Sequence, residues 1–303
     1  MKFGRYLSVI VTPFYEDNSI NYDEAIRLGK TMVDNGVEGL IIAATGGESA
    51  TMKLEERIEL TKVMKNAFNG QVPIIVGTGT NNTEDSKRIT KLIEEAGADG
   101  ILLVSPYYNK PSQEGIYLHF KAIADSTKLP VFLYNVPGRT GINLSPETIV
   151  RLAEVPNIVG MKDASGNIDQ LTKLLRAVPK DFHVYTGDDN LAIPALSIGV
   201  YGLISVAAQV AGKEIKEMLD AYWSKDIEKA AKLHQYLFPL LDVLFIESNP
   251  VPTKVALNLM GFKVGNVRLP LTMPSKKHTE EIAKVLRELN YMEEINISDN
   301  LWV

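Results

Sequence analysis

The chain has 303 residues, 45% of them hydrophobic, and a formal net charge of −5 with acidic and basic residues interspersed. This balance argues against nucleic acid or an anionic membrane as the main partner, and no apolar run reaches the ~18 residues that a membrane-spanning helix needs. Cysteine is absent, which excludes disulfides, thiolate nucleophiles and cysteine-ligated metals and fits the reducing cytoplasm, where we expect the protein.

Short apolar segments recur along the chain, and each is followed by a segment with helical spacing of its apolar residues. The predicted strands are Leu7–Val11, Gly39–Ala43, Ile74–Gly77, Ile101–Val104, Val131–Asn135, Ile158–Met161, His183–Thr186 and Gly202–Ser205. Strands that alternate with helices form parallel βαβ units, and eight such units predict an α/β fold, a closed (β/α)8 TIM barrel. An open doubly wound sheet is the alternative.

The strand pattern stops near residue 225. Residues 1–225 are therefore predicted to form the barrel and residues 226–303 a C-terminal helical region. The helices predicted in this appendage are Ile227–Phe245, Pro252–Met260 and Thr279–Leu289. The final segment, 290–303, is acidic, and the sequence assigns it no role.

Lys162 follows the apolar run Asn157–Met161 and precedes Asp163 and a Ser-Gly turn. A strand buried on both faces rarely ends on a lone ammonium group. Burial lowers the pKa of a lysine, so that part of it becomes a free amine that can form a Schiff base with a carbonyl substrate. The structural alternative is an ion pair with Asp163 or with another acid.

Other polar side chains also follow predicted strands, and in a (β/α)8 barrel the carboxyl ends of all strands meet at one rim. The groups expected at this rim, besides Lys162, are the side chains of Thr45, Tyr108, Tyr134 and Arg139. A nucleophilic amine, proton-transferring hydroxyls and an anion-binding guanidinium are the set that a Schiff-base aldolase needs.

These positions have structural interpretations too. Tyr134 is equally a core aromatic residue whose hydroxyl reaches the rim, and Arg139 is equally a surface arginine. Gly46–Gly47 is equally a tight turn, although N–H groups in such a turn can bind a carboxylate. Asp188 and Asp189 invite a metal interpretation, but paired acids at the beginning of a helix usually cap it, and we favour capping.

Metal and phosphate chemistry have little support. The four histidines are far apart and lack metal-ligand spacing. The two aspartates after strand 7 would repel phosphate at the place where phosphate-binding barrels have glycine-rich loops. We therefore expect no metal and no cofactor.

Four segments carry a resemblance to a known family: VSPYYNKPSQEG at 104–115, Tyr134–Gly141, Lys162–Gly166 and Asn249–Pro250. On these, and over roughly residues 5 to 290, the chain resembles the dihydrodipicolinate synthase family of pyruvate-dependent class I aldolases, which also includes N-acetylneuraminate lyase. The resemblance implies a cytoplasmic lyase of lysine and diaminopimelate biosynthesis. It would condense pyruvate with aspartate semialdehyde to 4-hydroxy-tetrahydrodipicolinate.

The resemblance also implies catalytic roles. Lys162 attacks the ketone of pyruvate and forms the imine. Tyr134 relays protons through Thr45, and Tyr108 reaches into the site of a neighbouring subunit to complete the relay. Arg139 binds the carboxylate of the incoming aldehyde.

Further binding positions are implied in the same way. Gly46 and Gly47 lie where the pyruvate carboxylate binds, and the backbone carbonyls of Gly187 and Ile204 line the pocket. An intersubunit relay implies at least a homodimer, and the family is usually a homotetramer.

One position departs from the family pattern. The motif after strand 2 is usually Gly-Thr-Thr-Gly-Glu, whereas residues 44–48 read Ala-Thr-Gly-Gly-Glu. Gly46 therefore lacks a hydroxyl that helps to hold the pyruvate carboxylate, at a cost on the order of 1.5–3 kcal/mol if nothing replaces it. Two alternatives stay open: a related aldolase acting on another aldehyde or 2-oxo acid, and a weakly catalytic paralogue that binds 2-oxo acids.

Overall fold

The computed structural model describes residues 3–293, so most of the predicted C-terminal tail lies outside the described residues. Eight parallel strands pair in chain order and the eighth pairs with the first, which closes the barrel. The strands are β1 (Tyr6–Val9), β2 (Leu40–Ile42), β3 (Ile74–Gly77), β4 (Gly100–Val104), β5 (Val131–Asn135), β6 (Ile158–Asp163), β7 (His183–Thr186) and β8 (Gly202–Ser205). The predicted (β/α)8 TIM barrel is confirmed, and the open sheet is excluded.

Both faces of the barrel sheet are buried. One set of strand side chains fills the interior and the other packs against the surrounding helices, as the alternation of a strand requires. Because neither face meets water, the strands read as continuous apolar runs rather than as alternating ones. The interior is filled by bulky side chains, among them Leu7, Val9, Ile41, Ile75, Leu102, Phe132, Tyr185 and Ile204.

Strand β6 is two residues longer than predicted. It continues through Lys162 to Asp163, and Lys162 pairs in register with Tyr134 on one side and Tyr185 on the other. An apolar pattern cannot reveal this extension, because the two added residues are buried although they are charged. The lysine is thus part of the barrel wall.

Helices surround the sheet, and polar caps begin several of them. Ser145 caps one helix: its hydroxyl accepts a hydrogen bond from the Thr148 N–H, and Pro146 occupies the first helical position. The helices of the barrel region are α1 (Tyr22–Asp34), α2 (Leu54–Phe68), α3 (Thr83–Glu95), α4 (Gln113–Ala124), α5 (Pro137–Thr140), α6 (Pro146–Leu152), α7 (Ile168–Leu175), α8 (Ala192–Ser197) and α9 (Ala208–Trp223).

The C-terminal appendage is helical, as predicted, and every helix end lies within three residues of its expected position. It consists of α10 (Ile227–Val243), α11 (Val251–Leu259) and α12 (Lys276–Glu288). Helix α10 packs on α9, and α12 contacts both α10 and α11. Within residues 3–293, no helix combines the length and the apolar character that a membrane crossing requires.

Candidate active site

A cavity of about 90 Å³ lies at the carboxyl ends of the strands. It brings together six of the predicted residues: Thr45, Gly46, Tyr134, Arg139, Lys162 and Gly187. Its other walls are Val9, Ala44, Leu102, Val136, Ala164, Asp188, Val206, Phe245 and Asn249. A wider cleft at the surface, between the loop after β1 and the end of α11, contains none of the predicted residues.

Lys162 is almost fully buried in this cavity, with 3% of its surface exposed. Burial lowers the pKa of its amine to about 8, and the nearby carboxylates of Asp189 and Asp188 limit that fall. The Lys162 Nζ lies 5.0 Å from the centroid of the Tyr134 ring. About a tenth of this amine is therefore unprotonated at pH 7, far more than for an ordinary lysine.

Lys162 does not form the ion pair with Asp163 or another acid that was the structural alternative. Among residues 3–293 no carboxylate lies within ion-pair distance of its amine. The Asp163 carboxylate instead accepts hydrogen bonds from Asn135 Nδ2 at 2.9 Å and from the Ser165 N–H at 3.0 Å. Asp163 thus holds the turn after β6 and leaves the amine unpaired.

Gly187 makes room for the lysine. A Cβ atom at this position would lie 2.4 Å from Lys162 Cε, so the lysine side chain would have to move from its observed position. The Gly187 N–H also donates to the Asp163 carbonyl at 2.6 Å, so the end of β7 is fixed against β6. A glycine here is needed for the close approach of the lysine stem.

Tyr134 lines the cavity one strand away, and only 7% of it is exposed. Burial raises the pKa of its phenol to about 12, while the Arg139 guanidinium and the Thr45 hydroxyl oppose that rise. A protonated phenol beside a hydroxyl and a largely desolvated amine is arranged to donate and accept protons.

Tyr108 is not in the cavity of its own chain. Its side chain is 89% exposed, and its φ of 74° lies in the left-handed region, which is uncommon for an aromatic residue. Asn81 and Asn109 connect this turn to the loop after β3, since Asn81 Nδ2 donates to the Tyr107 carbonyl and Asn109 Nδ2 to the Asn81 carbonyl. The phenol is therefore presented away from its own barrel.

Arg139 belongs to the short helix α5 that follows β5. Its side chain is largely exposed but reaches the cavity, where Nη2 donates to the Asn249 carbonyl at 3.2 Å. This bond ties the guanidinium to the segment before α11. Arg139 thus has a fixed partner and a place at the cavity mouth, unlike an ordinary surface arginine.

The two glycines after β2 differ. Gly47 holds the turn: its N–H donates to the Ala44 carbonyl at 3.1 Å, and its carbonyl accepts a bond from the Thr12 hydroxyl at 2.7 Å. Gly46 lines the cavity, and its N–H has no hydrogen-bond partner among residues 3–293. Of these two glycine N–H groups, the one of Gly46 is therefore available to a ligand. Ile204 is fully buried in the barrel interior and does not border the cavity.

The capping interpretation of the two aspartates needs correction. Asp188 makes no side-chain bond to the turn that follows it; it lines the cavity, where burial raises the pKa of its carboxyl to about 6. Asp189 instead anchors the backbone before α9: it accepts hydrogen bonds from the Val206 and Ala207 N–H groups and from Ser205 Oγ. Asp188 is extended whereas Asp189 begins a short 3-10 turn, and the two carboxyl groups have different surroundings.

The resemblance includes Asn249 but assigns it no function. The residue nevertheless lines the cavity and is only 6% exposed. No local pattern places it there, because it lies before α11, far along the chain from β2. Within the described part of the chain, no group of three His, Asp or Glu side chains is placed to hold a metal ion.

A closed (β/α)8 barrel with an unpaired, buried lysine at a strand end, next to a phenol and a threonine hydroxyl, defines a class I, Schiff-base-forming lyase. The sequence model of the "Dihydrodipicolinate synthetase family" matches residues 2–289, and the chain belongs to this family.

Named relatives agree with this assignment. The chain is 50% identical over 291 residues to the 4-hydroxy-tetrahydrodipicolinate synthase of Desulforamulus reducens, covering 96% of this chain and 98% of the relative. It superposes with a TM-score of 0.93 on a dihydrodipicolinate synthase of Bacillus anthracis, at 43% identity and with 95% and 98% of the two chains covered. The pyruvate complex of the Acinetobacter baumannii enzyme gives the same TM-score at 40% identity, covering 96% and 100%.

Proposed function

We propose that this chain is a 4-hydroxy-tetrahydrodipicolinate synthase, which condenses pyruvate with aspartate semialdehyde through a Schiff base. The observation that carries the proposal is the unpaired amine of Lys162, buried in the rim cavity with its pKa lowered to about 8. Relatives of the same name, at up to 50% identity over nearly the whole chain, support the choice of substrates.

The reaction begins when Lys162 Nζ attacks the ketone carbon of pyruvate. Loss of water from the resulting carbinolamine gives the imine, and removal of a C3 proton gives an enamine. The enamine carbon adds to the aldehyde of aspartate semialdehyde, whose oxygen takes up a proton. The amino group of the second substrate then displaces the lysine by transimination, which closes the ring and frees Nζ.

These steps need protons to move at the carbinolamine oxygen, at C3 and at the new hydroxyl. The Tyr134 phenol, protonated at neutral pH because burial raises its pKa, donates and recovers a proton with Thr45 as its neighbour. Tyr108 of a second copy would complete the relay, since this phenol is exposed and directed away from its own cavity.

Binding of the two substrates is assigned to opposite sides of the amine. The free N–H of Gly46 is suited to the carboxylate of the 2-oxo acid, and the Arg139 guanidinium at the mouth to the carboxylate of the aldehyde. Gly187 lines the same cavity next to the lysine stem, which supports the assignment of its carbonyl to the pocket wall.

The assembly and location follow from the same proposal. An intersubunit Tyr108 requires a homodimer at least, and a homotetramer is the assembly that the family resemblance implies. We propose a cytoplasmic location, where the small-molecule substrates are made, with neither nucleic acid nor membrane as partner.

One observation favours a second candidate. Gly46 leaves space beside the proposed carboxylate position, which suits a related aldolase acting on another 2-oxo acid or aldehyde. Steady-state rates with aspartate semialdehyde and with sugar-derived aldehydes separate the two candidates. A protein that binds pyruvate but forms no cyclised product with any aldehyde would instead be the weakly catalytic paralogue.

Borohydride reduction in the presence of pyruvate tests the Schiff base directly. Peptide mass mapping should find the reduced adduct on Lys162, and the Lys162→Ala variant should carry none. Lys254→Arg is a useful control because Lys254 is buried too, with its pKa also lowered to about 8, but lies outside the cavity. An adduct elsewhere, or none in the unmodified protein, would refute the proposal.

A further inference from the structure

Glycine is not demanded by the backbone at position 46. Its φ lies outside the left-handed region, and a Cβ atom there would meet Val9 Cγ2 at 3.4 Å, an ordinary van der Waals contact. The neighbouring Gly47 is different, because a Cβ there would lie 3.0 Å from the Ala43 nitrogen. A small side chain would therefore fit at position 46, and its absence leaves room in the cavity wall.

The carboxamide of Asn249 faces this room. Both Asn249 Oδ1 and Nδ2 lie 3.9 Å from the position that a Cβ of residue 46 would take. Although only 6% of the residue is exposed, Oδ1 has no hydrogen-bond partner among residues 3–293. Buried amides are nearly always paired, so an orphaned one in the wall of a cavity points to a missing partner.

The backbone of Asn249 is already in use. Its carbonyl accepts the hydrogen bond from Arg139 Nη2, so only the side chain is available. Gly46, whose N–H has no hydrogen-bond partner among residues 3–293, and Lys162 line the same cavity as Asn249. Two amide donors and one acceptor thus surround a position next to the reactive amine.

We infer that Asn249 is a substrate-binding residue of this chain, whose carboxamide holds the carboxylate of the 2-oxo acid across the space that Gly46 leaves open. The Nδ2–H and the Gly46 N–H donate to carboxylate oxygens. A water in the remaining space donates to Oδ1 and to the carboxylate, which satisfies the orphaned acceptor. The inference rests on the proposed function and specifies how its first substrate is bound.

A side chain at position 46 and the Asn249 carboxamide are alternative ways of binding the substrate carboxylate. A threonine hydroxyl at position 46 would occupy the space and bind the carboxylate itself, so that Asn249 would matter less. The two positions should therefore be strongly coupled although they are far apart in sequence. A merely structural role of Asn249 predicts no such coupling.

A double-mutant cycle of Asn249→Ala and Gly46→Thr, read out as the KM for pyruvate, tests this. With Gly46 present, Asn249→Ala should raise KM about 10- to 100-fold, the range expected for a lost hydrogen bond to a charged group. In the Gly46→Thr background, the same change should raise KM by a much smaller factor. Equal factors in the two backgrounds would overturn the inference.

Two further variants keep the test decisive if Asn249→Ala folds poorly. Asn249→Asp has nearly the same size but places a negative charge against the carboxylate, so KM for pyruvate should rise beyond the value for the unmodified protein; an unchanged KM would overturn the inference. Ser248→Ala, at the exposed neighbouring position, should leave KM unchanged. Thermal unfolding of each variant shows whether it is folded.

The borohydride experiment separates this inference from the proposed function. Suppose that the unmodified protein gives the Lys162 adduct but that Asn249→Ala raises the KM for pyruvate equally in both backgrounds. Only the role of Asn249 is then overturned. If the unmodified protein gives no adduct with pyruvate, the function and the role of Asn249 are both overturned.

Discussion

Lys254 and Glu48 form an ion pair of 2.7 Å in which both side chains are completely buried. Glu48 directly follows the Gly46-Gly47 turn and has a φ of 55°, whereas Lys254 belongs to α11 of the appendage. Lys254 Nζ also donates to the Asn266 carbonyl, and Glu48 Oε2 accepts from the Arg268 N–H. The appendage is thereby fastened to the loop that borders the cavity.

Removing one partner of this pair should lower the free energy of unfolding far more than removing both partners. Lys254→Met leaves a buried, unpaired carboxylate, which typically costs about 3–5 kcal/mol of unfolding free energy, and Glu48→Gln leaves the ammonium group alone. The double variant should recover part of the loss, because neither charge remains. Urea unfolding of the four proteins measures the coupling.

A surface pair provides the comparison. Lys232 and Glu228 are 2.6 Å apart on α10 but largely exposed, so removing Lys232 should change the free energy of unfolding little. Similar losses at both pairs would contradict the stabilising role of the buried Lys254–Glu48 pair.

The rate should depend on pH through Lys162. Only the free amine attacks the ketone, and its pKa is about 8, so kcat/KM for pyruvate should rise about tenfold per pH unit below that value and level off above it. Stopped-flow formation of the imine between pH 6 and 9 isolates this step. A profile that keeps rising towards the pKa of an ordinary lysine would contradict the effect of burial.

Asp188→Asn should move this profile to lower pH. The Asp188 carboxylate favours the charged form of Lys162, so neutralising it lowers the pKa of the amine further. Asp85→Asn, an exposed change at the beginning of α3, is a control that should leave the midpoint in place. A shift to higher pH in Asp188→Asn would reverse the assigned sign.

Tyr134→Phe should lower kcat by about 10²- to 10⁴-fold, the usual contribution of a positioned proton donor, and leave the KM for pyruvate less affected. The phenylalanine keeps the aromatic packing, so the fold should be retained. Borohydride trapping of the variant should still detect slow adduct formation on Lys162. Turnover equal to that of the unmodified protein would remove Tyr134 from the mechanism.

Tyr108→Phe and Lys162→Ala should complement each other if the relay crosses subunits. Each variant alone has low activity, but a mixed oligomer contains sites with Lys162 from one copy and Tyr108 from the other. Unfolding and refolding the two proteins together should restore an intermediate level of activity. No gain over the separately refolded proteins would show that Tyr108 serves only its own chain.

The barrel and the position of Lys162 at its rim were predictable because their signals are local. Apolar runs, helical spacing and a lysine placed after a run are all properties of short segments, and they located every strand within a few residues. The role of Asp189 was not predictable in this way, because its partners lie beyond β8. The contact between Gly46 and Asn249 depends on barrel closure and on the docking of the appendage, which no short segment encodes.

Asp189 links the position of the backbone before α9 to the pKa of Lys162, two properties that are usually adjusted separately. The same carboxylate that anchors the N–H groups of Val206 and Ala207 also supplies the largest favourable charge acting on the Lys162 amine. Any redesign that moves Asp189 away from these N–H groups would therefore also change the pKa of the Lys162 amine. An engineer who wants a different working pH should therefore alter Asp188 and leave its neighbour alone.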